Sequence, residues 1–249
     1  MMRTAPSPVV RASGSTRRRL AFVPVLGLLL AVPLAGCAFF ADPGPKTTEQ
    51  RTISNVTAVQ LKTSGDLTIA MGETPNLTIT AGANQLPSLT SEVRDGTLIL
   101  DADLRRGDGI SYLLTVPSLR SLELSGSGNA NGSVALSGET AVTATGSGSL
   151  QLTGVAADSI VVDLTGSGDV ELTGSAPTQQ LTITGSGTFN GSALVTRDAD
   201  ITITGSGDAR VNASGHLTAR STGSGDVIYT GNPSNVTATT TGSGGIGPQ

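Results

Sequence analysis

Side chains able to perform catalysis or to hold a metal are scarce in this chain. The sequence contains one histidine, His216, and one cysteine, Cys37. A Ser-His-Asp arrangement would have to use His216, but alternation with Leu217 turns this residue outward, and no G-x-S-x-G turn presents a nucleophile. A single histidine and a single cysteine also cannot form a Cys/His metal site. The sequence therefore predicts no catalytic residue, no metal site and no cofactor.

Acidic side chains, in contrast, recur at a fixed distance from a repeated tripeptide, Gly-Ser-Gly. The residue that follows the tripeptide is acidic at Asp169, Asp208 and Asp226. Carboxylates on neighbouring repeats either repel each other or share a cation such as calcium. Arg210, two residues after Asp208, offers a third possibility, which is compensation of the charge.

Threonine precedes the same tripeptide and stands again two residues earlier in four copies. With the three aspartates, three of these pairs form the predicted binding ladder: Thr143 and Thr145, Thr182 and Thr184, Thr202 and Thr204. A flat, regular array of hydroxyl groups is suited to contact a ligand, and it is similar to the ice-binding face of some antifreeze proteins. The alternative is structural, because threonine is a good outward-facing strand residue.

The tripeptide itself carries the signal for the fold. It begins at glycines 126, 146, 166, 185, 205, 223 and 242, with steps of 18 to 20 residues. Between the copies, apolar and polar residues alternate, as in Asp169-Val170-Glu171-Leu172-Thr173. A fixed period of this length is typical of a solenoid. The sequence predicts an all-β fold, a single-stranded parallel β-helix (β-solenoid) with about 19 residues per coil.

The alternation also predicts which side chains point inward. Positions two and four residues before the tripeptide, and two after it, are mostly apolar, so they should form rows inside the coil. The glycines should form corners, because they adopt positive φ cheaply and let stacked corners approach closely. Residues 52–120 lack the tripeptide but contain strand-like segments, and we interpret them as earlier, less regular coils. A separate small β-domain is the alternative.

The N-terminus is typical of an exported lipoprotein. Arg17-Arg18-Arg19 precedes an apolar run that is interrupted by Pro24 and Pro33 and is too short for a membrane span. The run ends in Leu34-Ala35-Gly36-Cys37, which resembles the bacterial lipobox, a resemblance that implies cleavage before Cys37 and attachment of a lipid to its sulfur. A plain signal peptide is the alternative, and the arginine run leaves twin-arginine export open.

These features predict four segments. They are a signal peptide at 1–36, a lipidated N-terminus and flexible tether at 37–51, the solenoid at 52–245 and a C-terminal tail at 246–249. Removing the first 36 residues, which hold five arginines and no acidic residue, leaves 10 basic against 19 acidic residues, a charge of −9. An acidic protein of this kind is not expected to bind nucleic acid.

Several stretches are similar to one known family. Ser64-Gly65-Asp66-Leu67-Thr68-Ile69, DGTLIL at 95–100 and TVPSLRSLELSGSG at 115–128 resemble the bacterial GIN domain, the head domain of auto-transporter adhesins, over roughly residues 52–245. The resemblance implies a β-helical, exported and often lipid-anchored protein, and it brings no catalytic residues. We do not expect the residues of this chain to form the membrane barrel of an autotransporter.

We therefore expect a non-enzymatic surface module, held to the membrane by the lipid on Cys37, that binds an extracellular or envelope ligand, either protein or glycan. A structural or assembly spacer is the second possibility, since solenoid ends can associate with each other. A carbohydrate-active β-helix enzyme is the third. It is disfavoured because the chain has only 2% aromatic residues for stacking on sugars.

Overall fold

A computed structural model describes residues 42–104 and 109–249 of the chain. Apart from one turn of 3₁₀ helix at Leu86–Ser88, the regular elements of these residues are β-strands. The predicted signal peptide and Cys37 lie outside the described residues, so the structure says nothing about them.

The strands are short and follow one another closely along the chain. In chain order they are β1 (Lys46–Arg51), β2 (Ala58–Leu61), β3 (Asp66–Met71), β4 (Asn76–Gly82), β5 (Leu89–Arg94), β6 (Thr97–Ala102), β7 (Ser111–Val116), β8 (Leu119–Gly126), β9 (Ala130–Ser133), β10 (Leu136–Gly146), β11 (Leu150–Ala156), β12 (Ser159–Gly166), β13 (Asp169–Ser175), β14 (Thr178–Gly185), β15 (Thr188–Thr196), β16 (Asp198–Gly205), β17 (Asp208–Ala213), β18 (His216–Gly223), β19 (Val227–Thr230), β20 (Asn235–Gly242) and β21 (Ile246–Pro248).

From β8 onward the chain winds as a parallel solenoid, and the predicted fold class is confirmed. Even-numbered strands from β8 to β20 pair in parallel in one sheet, which we call sheet B, and odd-numbered strands from β9 to β21 pair in parallel in sheet A. One strand of each sheet makes a layer, and each layer pairs with the layers on either side of it. The repeat makes about six turns of about 20 residues.

The register brings equivalent residues of successive copies opposite each other. In sheet B, Val142 pairs with Val162, which pairs with Leu181. These side chains belong to the rows that the alternation predicts to be inside, and they are fully buried between the two sheets. A slip by one residue would turn the whole row outward, so the buried rows specify the register.

The Gly-Ser-Gly corners stack main chain directly on main chain. The first glycine has positive φ, +117° at Gly166, and a Cβ built there would lie 2.3 Å from the carbonyl oxygen of Gly146 in the preceding layer. The third glycine is equally crowded, since a Cβ at Gly168 would lie 2.3 Å from the oxygen of Gly148. Between them, the Ser167 N–H donates to the Gly146 carbonyl at 2.9 Å, while the Ser167 side chain is exposed.

The N-terminal strands only partly follow the predicted pattern of earlier coils. The layers β2–β3 and β6–β7 are parallel to the repeat, but they stack out of chain order, because β2–β3 lies between β6–β7 and β8–β9. Strands β1, β4 and β5 are antiparallel to their neighbours and form the end of the stack. The interpretation of residues 52–120 as simple preceding coils is therefore wrong for β4 and β5.

A tight turn explains one of these reversals. β5 and β6 form a hairpin joined by Asp95 and Gly96, with φ of +50° and +79°. Asp-Gly is the preferred sequence for a two-residue turn with positive φ at both positions, and such a turn reverses the chain. This dipeptide is the signal in the sequence that predicts an antiparallel pair at this point.

Both ends of the ordered domain extend beyond the predicted boundaries. Residues 46–51, predicted as tether, form β1, which pairs antiparallel with β4. Residues 246–248, predicted as tail, form β21, which pairs with β19. Main-chain hydrogen bonds to an existing sheet edge order both segments. β1 has no buried side chain, whereas β21 continues an inward row through Ile246, which lies opposite Val227.

The corner makes a direct prediction about stability. Gly166→Ala should destabilise the protein by about 2 kcal/mol or more, because the new methyl group is forced into positive φ and against the Gly146 carbonyl. Ser167→Ala, its neighbour, removes only an exposed hydroxyl and should change stability by less than about 0.5 kcal/mol. Denaturant unfolding of both variants measures the difference. Equal stability of the two variants would contradict the close-approach role of the glycine.

Candidate binding surface

The predicted threonines lie in file along the outer face of sheet B, beside the corners. Register places Thr145, Thr165, Thr184, Thr204, Thr222 and Thr241 in one continuous row across six layers. Ser125 extends this row by one layer. Every member of the row is exposed or half-buried, so one hydroxyl is presented at each layer, about 4.8 Å from the next.

The second threonine row is interrupted by charges. It contains Thr143, Asp163, Thr182, Thr202, Arg220 and Thr239 in register. The Arg220 guanidinium lies 3.5 Å from the Asp200 carboxylate, and both side chains are more than half exposed. An exposed pair of this kind contributes little to stability. Because charged side chains break this row, the uninterrupted hydroxyl row is the one beside the corner.

The aspartates lie on the other side of the same corner, at the start of the sheet A strands. Asp169 is in register with Thr188, which is in register with Asp208. Asp208 Oδ1 accepts a hydrogen bond from the backbone N–H of Asp226 at 2.9 Å, and Asp226 Oδ1 accepts one from Gly245. Asn129 Oδ1 does the same for the Ser149 N–H at 3.0 Å. These side chains join one layer to the next.

This finding changes the meaning of the acidic row. The carboxylates of Asp208 and Asp226 are not free to bind a cation with both oxygens. One oxygen of each accepts a hydrogen bond from a backbone N–H of the following layer. In the part of the chain that the structure describes, no cluster of three or more His, Cys, Asp or Glu side chains is arranged to hold a metal ion. Among the described residues, Asp169 makes no such bond with the following layer, so neither of its carboxylate oxygens is used in this way.

Asp169 lies in an open groove of about 460 Å³ on sheet A. Outward residues of three successive layers line it: Ser149 and Gln151, Asp169 and Glu171, Thr188 and Asn190. Gln151 Nε2 donates to Glu171 Oε2 at 3.0 Å, which fixes the orientation of both side chains. The groove therefore offers two carboxylates with amide and hydroxyl groups beside them.

Strand irregularities follow directly after the residues that line this groove. The register between β13 and β15 shifts between Glu171 and Gly174, and comparable shifts occur in the strand pairs on either side. Bulges of this kind bend a strand and redirect its side chains. Glu171, Gln151 and Asn190 were not singled out from the sequence. The signal that could have identified them is the alternation of inward and outward residues along a strand. Gln151, Glu171 and Asn190 each lie two positions after Ser149, Asp169 or Thr188 and therefore on the same outward face.

In the described part of the chain, His216 is not part of a catalytic arrangement. It begins β18 on the exposed surface, and its imidazole makes no hydrogen bond within residues 42–104 and 109–249. Its backbone N–H donates to Asp198 Oδ1 at 3.0 Å, and Arg197 Nε donates to the other carboxylate oxygen at 2.8 Å. Both hydrogen bonds lower the pKa of the Asp198 carboxyl group, and the bond from the His216 backbone has the larger effect.

The remaining buried polar groups lie inside the stack. Tyr112 is fully buried, and its burial raises the pKa of the phenol, so the group stays protonated at neutral pH. Gln179 is buried in the inward row of sheet B, where its amide has no hydrogen-bond partner among the described residues. Neither group reaches the surface that carries the threonine row and the groove.

Comparison with known proteins agrees with this architecture. Residues 55–233 match the family described as "Putative auto-transporter adhesin, head GIN domain". The chain belongs to this family. No curated protein matches the chain. Within residues 42–104 and 109–249, no helix has the length and apolar character needed to cross a bilayer.

Solved structures share the fold. A "putative adhesin" from Bacteroides fragilis NCTC 9343 is 21% identical with a TM-score of 0.75, covering 82% of this chain and 97% of its own. A "putative lipid binding protein" from Parabacteroides distasonis ATCC 8503 is 23% identical with a TM-score of 0.68, covering 83% and 97%. A "putative adhesin" from Parabacteroides merdae ATCC 43184 is 22% identical with a TM-score of 0.60, covering 83% and 97%.

The structural role of the aspartates, which is to bond one layer to the next, can be separated from any role in ligand binding. Asp208→Ala should lower stability by about 1 kcal/mol, because the Asp226 N–H loses its acceptor. Asp208→Asn keeps an acceptor oxygen and should retain the stability of the natural protein. Asp169→Ala, at the equivalent position without a bond to the following layer, is the matched control and should be nearly neutral. Thermal unfolding of the three variants tests this order, and a loss at Asp169 as large as at Asp208 would refute it.

Proposed function

We propose that this protein is an exported, lipid-anchored binding module of the cell surface, without a catalytic role. Membership in an adhesin head family supports a surface function of the binding kind. The lipobox-like sequence at residues 34–37 supports an anchor at Cys37. The scarcity of histidine, cysteine and exposed aromatic side chains supports binding over chemistry.

The ligand that best suits the surface is an extended glycan of the envelope or of another cell. The observation that carries this proposal is the groove on sheet A, where Asp169 and Glu171 stand beside Gln151 and Asn190. Carboxylate and amide groups are good partners for sugar hydroxyls, because each can make paired hydrogen bonds. The threonine row across the corner repeats a hydroxyl at every layer, which suits a polymer better than a small molecule.

Aromatic rings are nearly absent from this surface, and the proposal must account for that. Without ring stacking, each sugar contributes little, so affinity depends on many weak contacts along the polymer. Thr143, Thr145, Thr182, Thr184, Thr202 and Thr204 provide such contacts in this proposal, and Asp169 provides a stronger one. Asp208 and Asp226 are exposed, and in this proposal each contributes the carboxylate oxygen that does not bond to the following layer.

The glycan proposal is tested with full-length protein purified in detergent on an array of envelope and host polysaccharides. Glu171→Gln should weaken binding to the preferred glycan by about tenfold, the loss of one charge-assisted hydrogen bond. Glu73→Gln, an exposed carboxylate outside the groove, is the matched control and should bind as the natural protein does. Absence of any glycan signal, together with capture of a protein ligand by the same surface, would replace the glycan with a protein.

The anchor makes its own prediction. When the full chain is expressed in a bacterium, the mature protein should begin at Cys37, carry acyl chains detectable by mass spectrometry, and partition into the detergent phase. Cys37→Ser should abolish the acyl mass and release the protein into the aqueous phase, whereas Ala41→Ser should change neither. An unmodified Cys37 in the mature protein would favour a plain signal peptide.

A structural or assembly role is the second candidate. The observation that favours it is a difference in charge between the two ends of the stack: residues 227–249 hold no charged side chain, whereas β1 carries Lys46, Glu49 and Arg51.

A further inference from the structure

The last described layer, formed by β20 and β21, has a strand neighbour on one side only. Within residues 42–104 and 109–249, β20 pairs with β18 alone and β21 with β19 alone. All residues of β20 are exposed. Val236, which continues an inward row, is 39% exposed, while Leu217 directly opposite it in β18 is 1% exposed. The apolar interior of the solenoid is therefore open at this layer.

The free edge of β20 also presents main-chain groups in a defined pattern. The Asn235 N–H donates to the Gly215 carbonyl, on the side of β18. Main-chain groups of alternate residues in a parallel strand point to opposite sides. The N–H and C=O groups of Val236, Ala238 and Thr240 therefore point to the open edge, where they can pair with another strand.

Charge distinguishes this end of the stack from the other. Residues 227–249 contain no charged side chain. The opposite edges are β1 and β5, which carry Lys46, Glu49, Arg51, Glu92 and Arg94. Charged residues on an edge strand are the usual protection against pairing with another chain. β20 contains neither a charged residue nor a proline, so this edge strand lacks such protection.

We propose that the β20–β21 end binds the same end of a second copy of this chain, head to head. A two-fold axis perpendicular to the stack sets each β20 antiparallel to its own copy. Each unpaired N–H then meets a C=O, and Val236 and Ala238 of each copy cover the open interior of the other. Head-to-tail stacking would instead place this uncharged end against the charged strands β1 and β5. A two-fold contact is closed, so the product is a dimer and not a filament.

A function for this dimer follows from its geometry. This step of the inference rests on the proposed lipid anchor at Cys37. β1, the strand nearest to the anchor in sequence, lies at the far end of sheet A from β21. Eleven strands in that sheet separate the two ends by roughly 48 Å at a spacing of about 4.8 Å. A head-to-head dimer therefore places its two N-terminal edges at opposite ends of a rod of roughly twice that length. Two anchored copies joined in this way connect two facing membranes, which is adhesion of like to like.

Sedimentation velocity of the full-length protein in detergent tests the contact without reference to any ligand. The protein should form dimers as concentration rises. Ala238→Lys should raise the dimer dissociation constant by about tenfold or more, because two like charges meet at the axis. Gln180→Lys adds the same charge to the exposed face of β14, in the middle of sheet B and outside the threonine rows and the groove, and should leave the dimer unchanged. Ala238→Pro, which removes one N–H at the open edge but adds no charge, should also weaken it.

Cross-linking identifies the orientation. Ala238→Cys should give a disulfide-linked dimer, because a residue near a two-fold axis lies beside its own copy, whereas Thr47→Cys on β1 should not. A chain that is monomeric at all concentrations, a dimer insensitive to Ala238→Lys, or cross-linking through Thr47→Cys alone would each overturn the proposal. Circular dichroism of each variant confirms that the β fold is retained.

Vesicles carrying the lipidated protein test the membrane step. Light scattering should show clustering of vesicles with the natural protein and with Gln180→Lys, but not with Ala238→Lys. Dimers in detergent without clustering of vesicles would overturn the bridging of membranes while leaving the head-to-head contact in place. Failure of the glycan array leaves both results unaffected, because neither experiment contains a glycan.

Discussion

Contact between main chains at the corners is the constraint on which the rest of this fold depends. In the repeat region, the oxygen of one layer lies within 2.0 to 2.4 Å of where a Cβ of the next corner would stand. The serine between the glycines donates its N–H to the preceding layer at 2.8 to 3.2 Å. No side chain fits between such corners, so the layers meet at strand spacing at every turn, and all residues at the same distance from a corner fall into line.

Residues at equivalent positions in successive layers do not all have the same structural role. Asp208 and Asp226 occupy the same position as Asp169, but they bond to the following layer while Asp169 faces the groove. Their bonds resemble those of Asn129, a residue with no charge at all. A repeated acidic side chain on a solenoid can therefore serve to bond one layer to the next. Only its hydrogen bonds distinguish such a structural residue from a ligand-binding residue.

The repeat region was readable from sequence because two independent signals agreed there. The glycine spacing gave the period, and the alternation of apolar residues gave the faces, so the buried rows through Val142 and Leu181 followed directly. The family resemblance, which the match over residues 55–233 confirms, rested on the less regular N-terminal part. Position in a row predicted exposure correctly for Thr145 and Thr204.

The N-terminal end was harder to predict because pairing between distant strands is a tertiary choice. Nothing in the sequence of β6 shows that it stacks against β2 and not against β8. β1 is polar throughout and gains its order from hydrogen bonds to β4, which no local pattern reports. The groove was missed for a related reason: its lining comes from three layers, and the pairing of β11, β13 and β15 is what brings Gln151, Glu171 and Asn190 side by side.

Stacking of this kind makes the length of the rod a quantity that evolution can adjust in whole steps. Because each layer of the repeat touches only the layers directly above and below it, duplication of one 18- to 20-residue unit adds one layer and disturbs no distant packing. The reach of the rod and the number of hydroxyl groups along its edge then grow together. The length of such a rod can thus change by one layer at a time while both of its ends keep their structure.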